Sequence, residues 1–434
     1  MKYFIQSKLF NFIVYYKYLV LLKQSGYSLE KKKKVQQKKI RRLVKAALKH
    51  PLYQKKFTEA GVDPALITTP EDLKKIPILT KNEYRDMILA CNIGSKKYKH
   101  FHKDHTSGST GVPLHTCLSP AEYATLVAKR LLILHKNGYR IFRDSSLDMS
   151  SPAHKGTRKS KSLFQKIGLL RKTYVSTMDD PKDIVEAIIK EKPTSICAGK
   201  SILHTVLLYA KKHGIELPKV KMVENVAEAM DDTSANLIEY FFGDNVITDS
   251  YASVECGIIA YSLRFDRRHF FLDPLQYVYS IRDENSNETD EGELFVTNLY
   301  LLHFPMINYK QGDFVESALD EKGERYIKQV HGRNDDKIIS RDGQRFSFHY
   351  LFAFLPRTLY LEQYRVIQES YDDLKLILVM KKDSQIDKAV AEKEITENLD
   401  RYLKTKMKYT FEWVDQIPID ANGKIRVLIS KIKQ

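Results

Sequence analysis

Cysteine is scarce in this chain, and so is any long apolar run. Four cysteines occur (Cys91, Cys117, Cys197 and Cys256), with neither a Cys-x-x-Cys pair nor Cys/His ligand spacing. That excludes a disulfide framework and a zinc knuckle and leaves reduced thiols in a cytoplasmic protein. The most apolar stretch, Phe4 to Leu22, is broken by Gln6, Ser7, Lys8, Asn11 and Lys17. It is too polar to be read as a transmembrane span, and no small-residue cleavage site goes with it, so a signal peptide is not expected. There is no internal repeat, and no low-complexity tract beyond a run of lysines. A basic motif interleaved with aromatics is also missing, which argues against nucleic acid as a partner. What remains is an ordinary globular composition: 434 residues, 43% hydrophobic and 29% charged, enough for two or three domains with substantial cores.

The net charge of +17 is unevenly spread. Residues 1–60 hold sixteen Lys and Arg but only two acids, Glu30 and Glu59, so this segment carries +14 of the total. Two readings stand for residues 1–45. Charge runs are usually solvated faces, so the first is a helix packed on a larger domain with its lysines in water. In the second, the apolar stretch and the lysines at 31–34 and 38–39 make peripheral contact with an anionic membrane.

Residues 105–114 read His-Thr-Ser-Gly-Ser-Thr-Gly-Val-Pro-Leu. Two hydroxyl pairs alternate with Gly108 and Gly111. Glycines let the backbone turn its N–H groups inward and the hydroxyls add donors, so the segment can wrap a polyphosphate. It is not a Walker A loop, because its glycines are too close together and no lysine follows. The plain alternative is a Gly/Ser/Thr-rich turn that holds no phosphate. Four more stretches follow in order: Tyr251-Ala-Ser-Val-Glu255, Tyr309-Lys-Gln-Gly-Asp313, Gly332-Arg-Asn-Asp-Asp336 and Ile417-Pro-Ile-Asp-Ala-Asn-Gly-Lys-Ile-Arg426.

Together these five stretches resemble the signature segments of the adenylate-forming superfamily, the acyl-CoA synthetases and peptide-synthetase adenylation domains. The opening segment with Tyr53, Phe57, Asp72, Leu73, Ile76, Pro77, Leu79, Thr80 and Lys81 is similar to the phenylacetate–coenzyme A ligase branch, including the CapK-type ligases often encoded with capsule and polysaccharide genes. The resemblance implies an α/β fold: a large N-terminal multi-sheet α/β domain plus a small mobile α+β C-terminal domain. The expected bounds are a basic segment over 1–40, a large AMP-binding domain over 41–335 and a small domain over 336–434.

The activity the resemblance implies joins a carboxylic acid to the α-phosphate of ATP, releases pyrophosphate and passes the acyl group to an acceptor. Two anions must meet, so such a site needs positive charge, Mg²⁺ and oriented donors more than a general base. By resemblance, Thr106, Ser107, Gly108, Ser109, Thr110 and Gly111 hold the phosphates, and Glu255 binds Mg²⁺, a hard cation that takes one or two carboxylates beside phosphate oxygens. Tyr251, with Ser253 beyond it, offers an aromatic face to adenine, and Ala227 and Glu228 flank the adenine side. Asp313 accepts from the ribose hydroxyls and Arg333 donates to ribose or phosphate. Lys424 is the catalytic cation, reaching from the small domain to the reacting carboxylate and phosphate. Asp335 is the expected hinge.

Three positions depart from the family pattern: Leu114 where many relatives carry lysine, Ala252 in place of a glycine, and Gln311 in place of threonine. The acid is not legible. Its pocket is expected from segments around 145–180, 225–230 and 250–260, with His154, Lys155 and Arg158 as candidates for an anionic substrate. The acceptor is open as well: coenzyme A, or an amine or hydroxyl on a sugar or carrier. Two rivals stand beside the enzyme, namely a catalytically silent nucleotide-binding protein of envelope polysaccharide assembly, and a membrane anchor carrying a vestigial enzyme.

The pattern predicts helices over 35–61, 81–90, 120–137, 181–191 and 200–213, and a helix beginning at Pro70 and capped by Thr69. Strands are expected at 195–198, 220–226 and 246–249, at 292–297 closing the large domain, and then at 363–369, 373–381 and 408–414 around a helix over 387–405. Such alternation suggests parallel sheets covered by helices.

Overall fold

A computed structural model describes residues 8–105, 114–150, 171–321, 323–333, 337–341, 345–347, 355, 358, 360–382, 384–403, 407–418 and 426–432. The chain opens with helix α1 (Lys8–Ser25), which turns at Ser28 into α2 (Leu29–Ala47). Ser28 caps α2 by accepting a hydrogen bond from the Lys31 amide. The single helix expected over 35–61 is two helices. Pro51 has no N–H to donate and holds His50 in an extended conformation, so α2 ends and α3 (Pro51–Glu59) begins afresh. The single turn Pro70–Leu73, α4 (Lys81–Ala90) and α5 (Pro120–Lys136) each start at a reciprocal capping box, built by Thr69 with Asp72, Thr80 with Glu83 and Ser119 with Glu122. Between α4 and α5 lies a two-stranded antiparallel hairpin, β1 (His102–His105) and β2 (His115–Leu118).

An eleven-stranded mixed sheet organises the next two hundred residues. Its parallel half comprises β3 (Ser145–Ser150), β4 (Arg171–Ser176), β5 (Ser195–Ala198), β6 (Met222–Val226) and β7 (Ile247–Ser253), side by side in the order β4-β3-β5-β6-β7. Helices α6 (Pro181–Glu191), α7 (Lys200–Lys212) and α8 (Asp232–Phe242) connect these strands. Ile184, Ile188, Ile202, Val206 and Ile238 pack on Leu147, Ile196, Val223 and Ile247, so the strands read as apolar runs in the sequence. The antiparallel half adds β8 (Gly257–Leu263), β9 (Asp266–Leu272), β10 (Tyr277–Arg282), β11 (Glu291–Asn298), β12 (Met306–Leu319) and β13 (Arg325–Arg333), in the order β8-β9-β13-β12-β11-β10. The strand expected to close the large domain, β11, therefore lies inside the sheet, between β10 and β12.

Two short strands, β14 (Lys337–Ile339) and β15 (Arg345–Ser347), precede a four-stranded sheet of β16 (Leu361–Ser370), β17 (Asp373–Met380), β18 (Lys408–Trp413) and β19 (Leu428–Ser430), ordered β18-β17-β16-β19. Helix α9 (Lys388–Tyr402) packs Ala391, Ile395 and Leu399 against Val366, Leu374 and Leu376 of this sheet. The smaller α+β unit thus has its own core. It meets α7 where Glu362 Oε1 lies 3.4 Å from His204 Nε2.

Candidate active site

In an open α/β sheet, ligands collect at the carboxyl ends of the parallel strands, where short loops lead into helix N-termini. Here the chain leaves β5 at Gly199, β6 at Ala227 and Glu228, and β7 at Tyr251 to Glu255. Ala227 has φ of 70°, a left-handed conformation that a residue with a Cβ adopts at a cost. The turn is held from below, since Asn225 Nδ2 donates to the Glu228 carbonyl at 2.7 Å and to Asp249 Oδ1 at 2.9 Å. Ser201 donates to Glu228 Oε2. A Cβ on residue 199 would come within 2.6 Å of Glu228 Oε1, so any larger residue there would displace that carboxylate. Burial, only partly offset by the Asn225 hydrogen bond and backbone donors, pushes the Asp249 carboxyl up to about 7.

Opposite these loops stands β12. In the sheet order, β12 is four strand spacings from β7, roughly 19 Å if the sheet were flat. Yet the Tyr251 hydroxyl donates to Asp313 Oδ2, and the Tyr309 hydroxyl donates to Glu255 Oε1 at 3.1 Å. The antiparallel half must therefore curl back over the end of β7. The seam between β9 and β13, where only two residue pairs are in register, is the natural place for the bend. Burial and the neighbouring carboxylates drive both tyrosine hydroxyls far above their ordinary pKa. They stay protonated and serve as donors that orient Asp313 and Glu255.

The departures from the family pattern have local causes. Leu114 is fully buried in the core that also contains Cys256 and Tyr309, a place no lysine could fill without a partner. Gln311 Oε1 accepts from the Cys256 thiol at 3.1 Å. Ala252 does not have positive φ, so the ordinary backbone expected there is what the strand shows; Gly312, at φ of 82°, supplies the left-handed turn before Asp313. The Ser253 side chain accepts from the Cys256 amide at 3.1 Å and so closes the turn that carries Glu255.

Of the sequence-selected residues, Ala227 and Glu228 follow β6, Tyr251, Ser253 and Glu255 lie at the end of β7, and Asp313 on β12 is brought to them by its contact with Tyr251. Arg333, described by its main chain, is the partner of Asp313 in the β12–β13 register. Thr106, Ser107, Gly108, Ser109, Thr110 and Gly111 lie outside the described residues, as do Asp335, Lys424, His154, Lys155 and Arg158. Of the residues that flank the phosphate-loop segment, His105 and His115 are paired across β1 and β2, and Leu114 belongs to the same core as Tyr309. Among the described residues no group of three or more His, Cys, Asp or Glu side chains is placed to hold a metal ion. Sequence reading missed Tyr309 as the residue that orients Glu255, although it opens a quoted motif. It also missed Asn225 and Asp249, for which no motif gave a signal.

A second polar cluster lies nearer the other edge of the parallel half. Arg130 of α5 reaches Glu224 Oε2 at 2.6 Å, and Lys172 Nζ lies 2.7 Å from Asp148 Oδ2. Burial opposes ionisation of Asp148, but Lys172 and Arg130 prevail and hold its carboxyl well below the usual range. This paired network ties α5 to the sheet.

Comparison with known proteins agrees with this fold. Residues 338–431 match the CapK C-terminal domain family. Protein CapK of Staphylococcus aureus is 23% identical over 381 residues, spanning 84% of this chain and 82% of that protein. Among solved structures, 2-hydroxyisobutyryl-CoA ligase in the postadenylation state, in complex with R3-HIB-AMP, superposes with a TM-score of 0.76 at 17% identity, over 93% of this chain and 90% of that one. The same ligase in the thioesterification state, with 2-HIB-AMP and CoA, gives 0.61 at 18% identity over the same shares. An anthranilate CoA ligase in complex with anthranoyl-AMP gives 0.55 at 16% identity, over 76% of this chain and 66% of that one. The chain thus has the fold of these CoA ligases, and its residues 338–431 match the CapK C-terminal domain family.

Proposed function

We propose that the protein is an ATP- and Mg²⁺-dependent ligase that converts a carboxylic acid into its acyl-adenylate, releasing pyrophosphate, and then transfers the acyl group to an acceptor. The observation that carries this is the pairing of Tyr251 with Asp313 and of Tyr309 with Glu255, which brings two signature segments from distant strands to one crevice. Asp313, oriented by Tyr251, accepts from the ribose hydroxyls, with Arg333 beside it in register. Ala227, Glu228 and Ser253 frame the adenine side. Thr106, Ser107, Gly108, Ser109, Thr110 and Gly111 hold the β- and γ-phosphates.

Glu255 suits a hard divalent cation. It is a buried carboxylate with one oxygen fixed by Tyr309, next to the core that includes Leu114, and Mg²⁺ needs only one or two carboxylates beside phosphate oxygens and water. When bound, the cation neutralises the charge of the departing pyrophosphate. Lys424 comes from the small domain to stabilise the charge that builds as the substrate carboxylate attacks the α-phosphate. The better superposition on the postadenylation state than on the thioesterification state supports a small domain not yet placed for acyl transfer. Rotation about Asp335 would then withdraw Lys424 for acyl transfer.

The ligase likeness favours coenzyme A as acceptor, and the CapK likeness favours an amine or hydroxyl on a sugar or carrier in polysaccharide biosynthesis. A cytoplasmic location fits a reaction that consumes ATP. The test is ATP–pyrophosphate exchange against aryl, fatty, hydroxy and amino acids, with Lys424→Ala as control. Exchange with one acid class, lost in the variant, is the expected result. Retained ATP binding without exchange on any acid would overturn it in favour of a silent nucleotide-binding protein.

A further inference from the structure

Helix α1 is apolar on two opposite faces. Phe10, Val14, Tyr18 and Leu21 are buried against Ala124, Ala128 and Leu131 of α5. Half a turn round the helix, Leu9, Phe12, Tyr16 and Leu19 form a second stripe at intervals of three and four residues, and these are 59%, 64%, 60% and 44% exposed. A helix lying on a soluble domain ordinarily turns charged and polar residues outward. The stripe extends onto the body of the protein, where Tyr15 meets the half-exposed Phe142 edge-on at 5.8 Å between ring centres.

The surroundings of the stripe are basic. Lys23 is exposed one turn beyond Leu19, and Arg140 and Arg143 are exposed on either side of Phe142. The next helix, α2, exposes Lys31, Lys33, Lys34, Lys38 and Arg41. No helix among the described residues is long and apolar enough to cross a membrane, so the stripe can lie on a bilayer but α1 cannot span it.

We propose that the outer face of α1 docks the protein on an anionic lipid bilayer. Aliphatic and aromatic side chains enter the boundary between headgroups and acyl chains, while the lysines and arginines of α1, α2 and the Phe142 loop meet lipid phosphates. The charge decides for lipid over a second copy. Two such surfaces, each part of a segment carrying +14, would repel one another, and one helical stripe offers less than the roughly 800 Å² per partner of a stable protein interface. This inference does not rest on the ligase reading, since its test measures binding and not activity.

The experiment is co-sedimentation of the full chain with vesicles of phosphatidylcholine alone or of phosphatidylcholine and phosphatidylglycerol in equal parts. Binding to the mixed vesicles is expected to exceed binding to the neutral ones by about tenfold and to weaken as salt is raised. The triple variant Phe12→Glu, Tyr16→Glu, Leu19→Glu should lose that binding while its melting temperature stays unchanged, because these side chains are exposed. Phe12→Ser alone, a milder change, should weaken binding several-fold in the same direction. Wild-type protein that ignores anionic vesicles, or a folded triple variant that still binds them, would overturn the proposal. So would a wild-type dimer that the triple variant converts to a monomer, which would assign the stripe to a second copy.

Discussion

Glu255 and Asp313 each depend on a tyrosine from the other's strand region, and that reciprocity defines what single substitutions should do. Glu255→Gln keeps the shape but removes the charge, and adenylate formation should slow by on the order of 10²-fold with a raised requirement for Mg²⁺. Tyr309→Phe leaves the carboxylate in place but unoriented, and should cost about tenfold, read as a higher Mg²⁺ concentration at half-maximal exchange. Wild-type behaviour of Glu255→Gln would remove that residue from the metal site. Two buried titratable groups make a different prediction. Asp249 takes up a proton near pH 7 when folded and only below its ordinary 3.8 when unfolded, so the stability it brings is complete at low pH and is lost as pH rises through about 7. Lys129 Nζ is sealed against the Ile258 carbonyl at 2.6 Å and over the Tyr277 ring, and burial lowers its pKa to about 7. Its contribution is present above pH 10.5 and is lost as pH falls through about 7. Denaturant unfolding of Asp249→Asn should therefore diverge from wild type between pH 4 and 7, and that of Lys129→Met between pH 7 and 10, each by at most about 1.4 kcal/mol per pH unit. Parallel curves would mean that these groups titrate normally.

Among the elements, the short connections after β6 and β7 and the interior of β12 do most to shape the site. Ala227 holds a backbone conformation that glycine adopts freely, so Ala227→Gly should stabilise the fold by about 0.5–1 kcal/mol, measurable as a raised melting temperature. A lower melting temperature would show that contacts of the methyl group outweigh the strain. Most helices and strands were legible in the sequence because their signals are local. Thr69, Thr80 and Ser119 each sit three residues before an acid that closes a capping box, and Pro70 and Pro120 open their helices. The break at Pro51 was missed because the apolar spacing continues across it. The position of β11 was missed because strand order is set by pairings between residues distant in the chain, about which a run of apolar residues says nothing.

For the whole molecule, the proposed two-step reaction draws on the two-part arrangement. The smaller unit folds around its own core and touches the larger through contacts such as His204 with Glu362. Lys424→Ala should reduce pyrophosphate exchange by roughly 10³-fold but leave acyl transfer from a supplied acyl-adenylate nearly unchanged, because the lysine serves only the first half-reaction. Equal loss of both would place Lys424 at a shared step or show that the variant has lost its fold.

The sequence by itself determined the class of fold, the order of the site segments and the segregation of charge into the first sixty residues. Each is a property of residue types and their spacing along the chain. Only the tertiary structure decided that Tyr251 serves Asp313 and Tyr309 serves Glu255, since that depends on the mixed sheet curling until strands four places apart come within hydrogen-bond distance. It also showed that α1 packs on the large domain and yet leaves a second apolar face in solvent. A helix that is apolar on two opposite faces shows no preferred side in its sequence, so only its packing partner could reveal which face was left over.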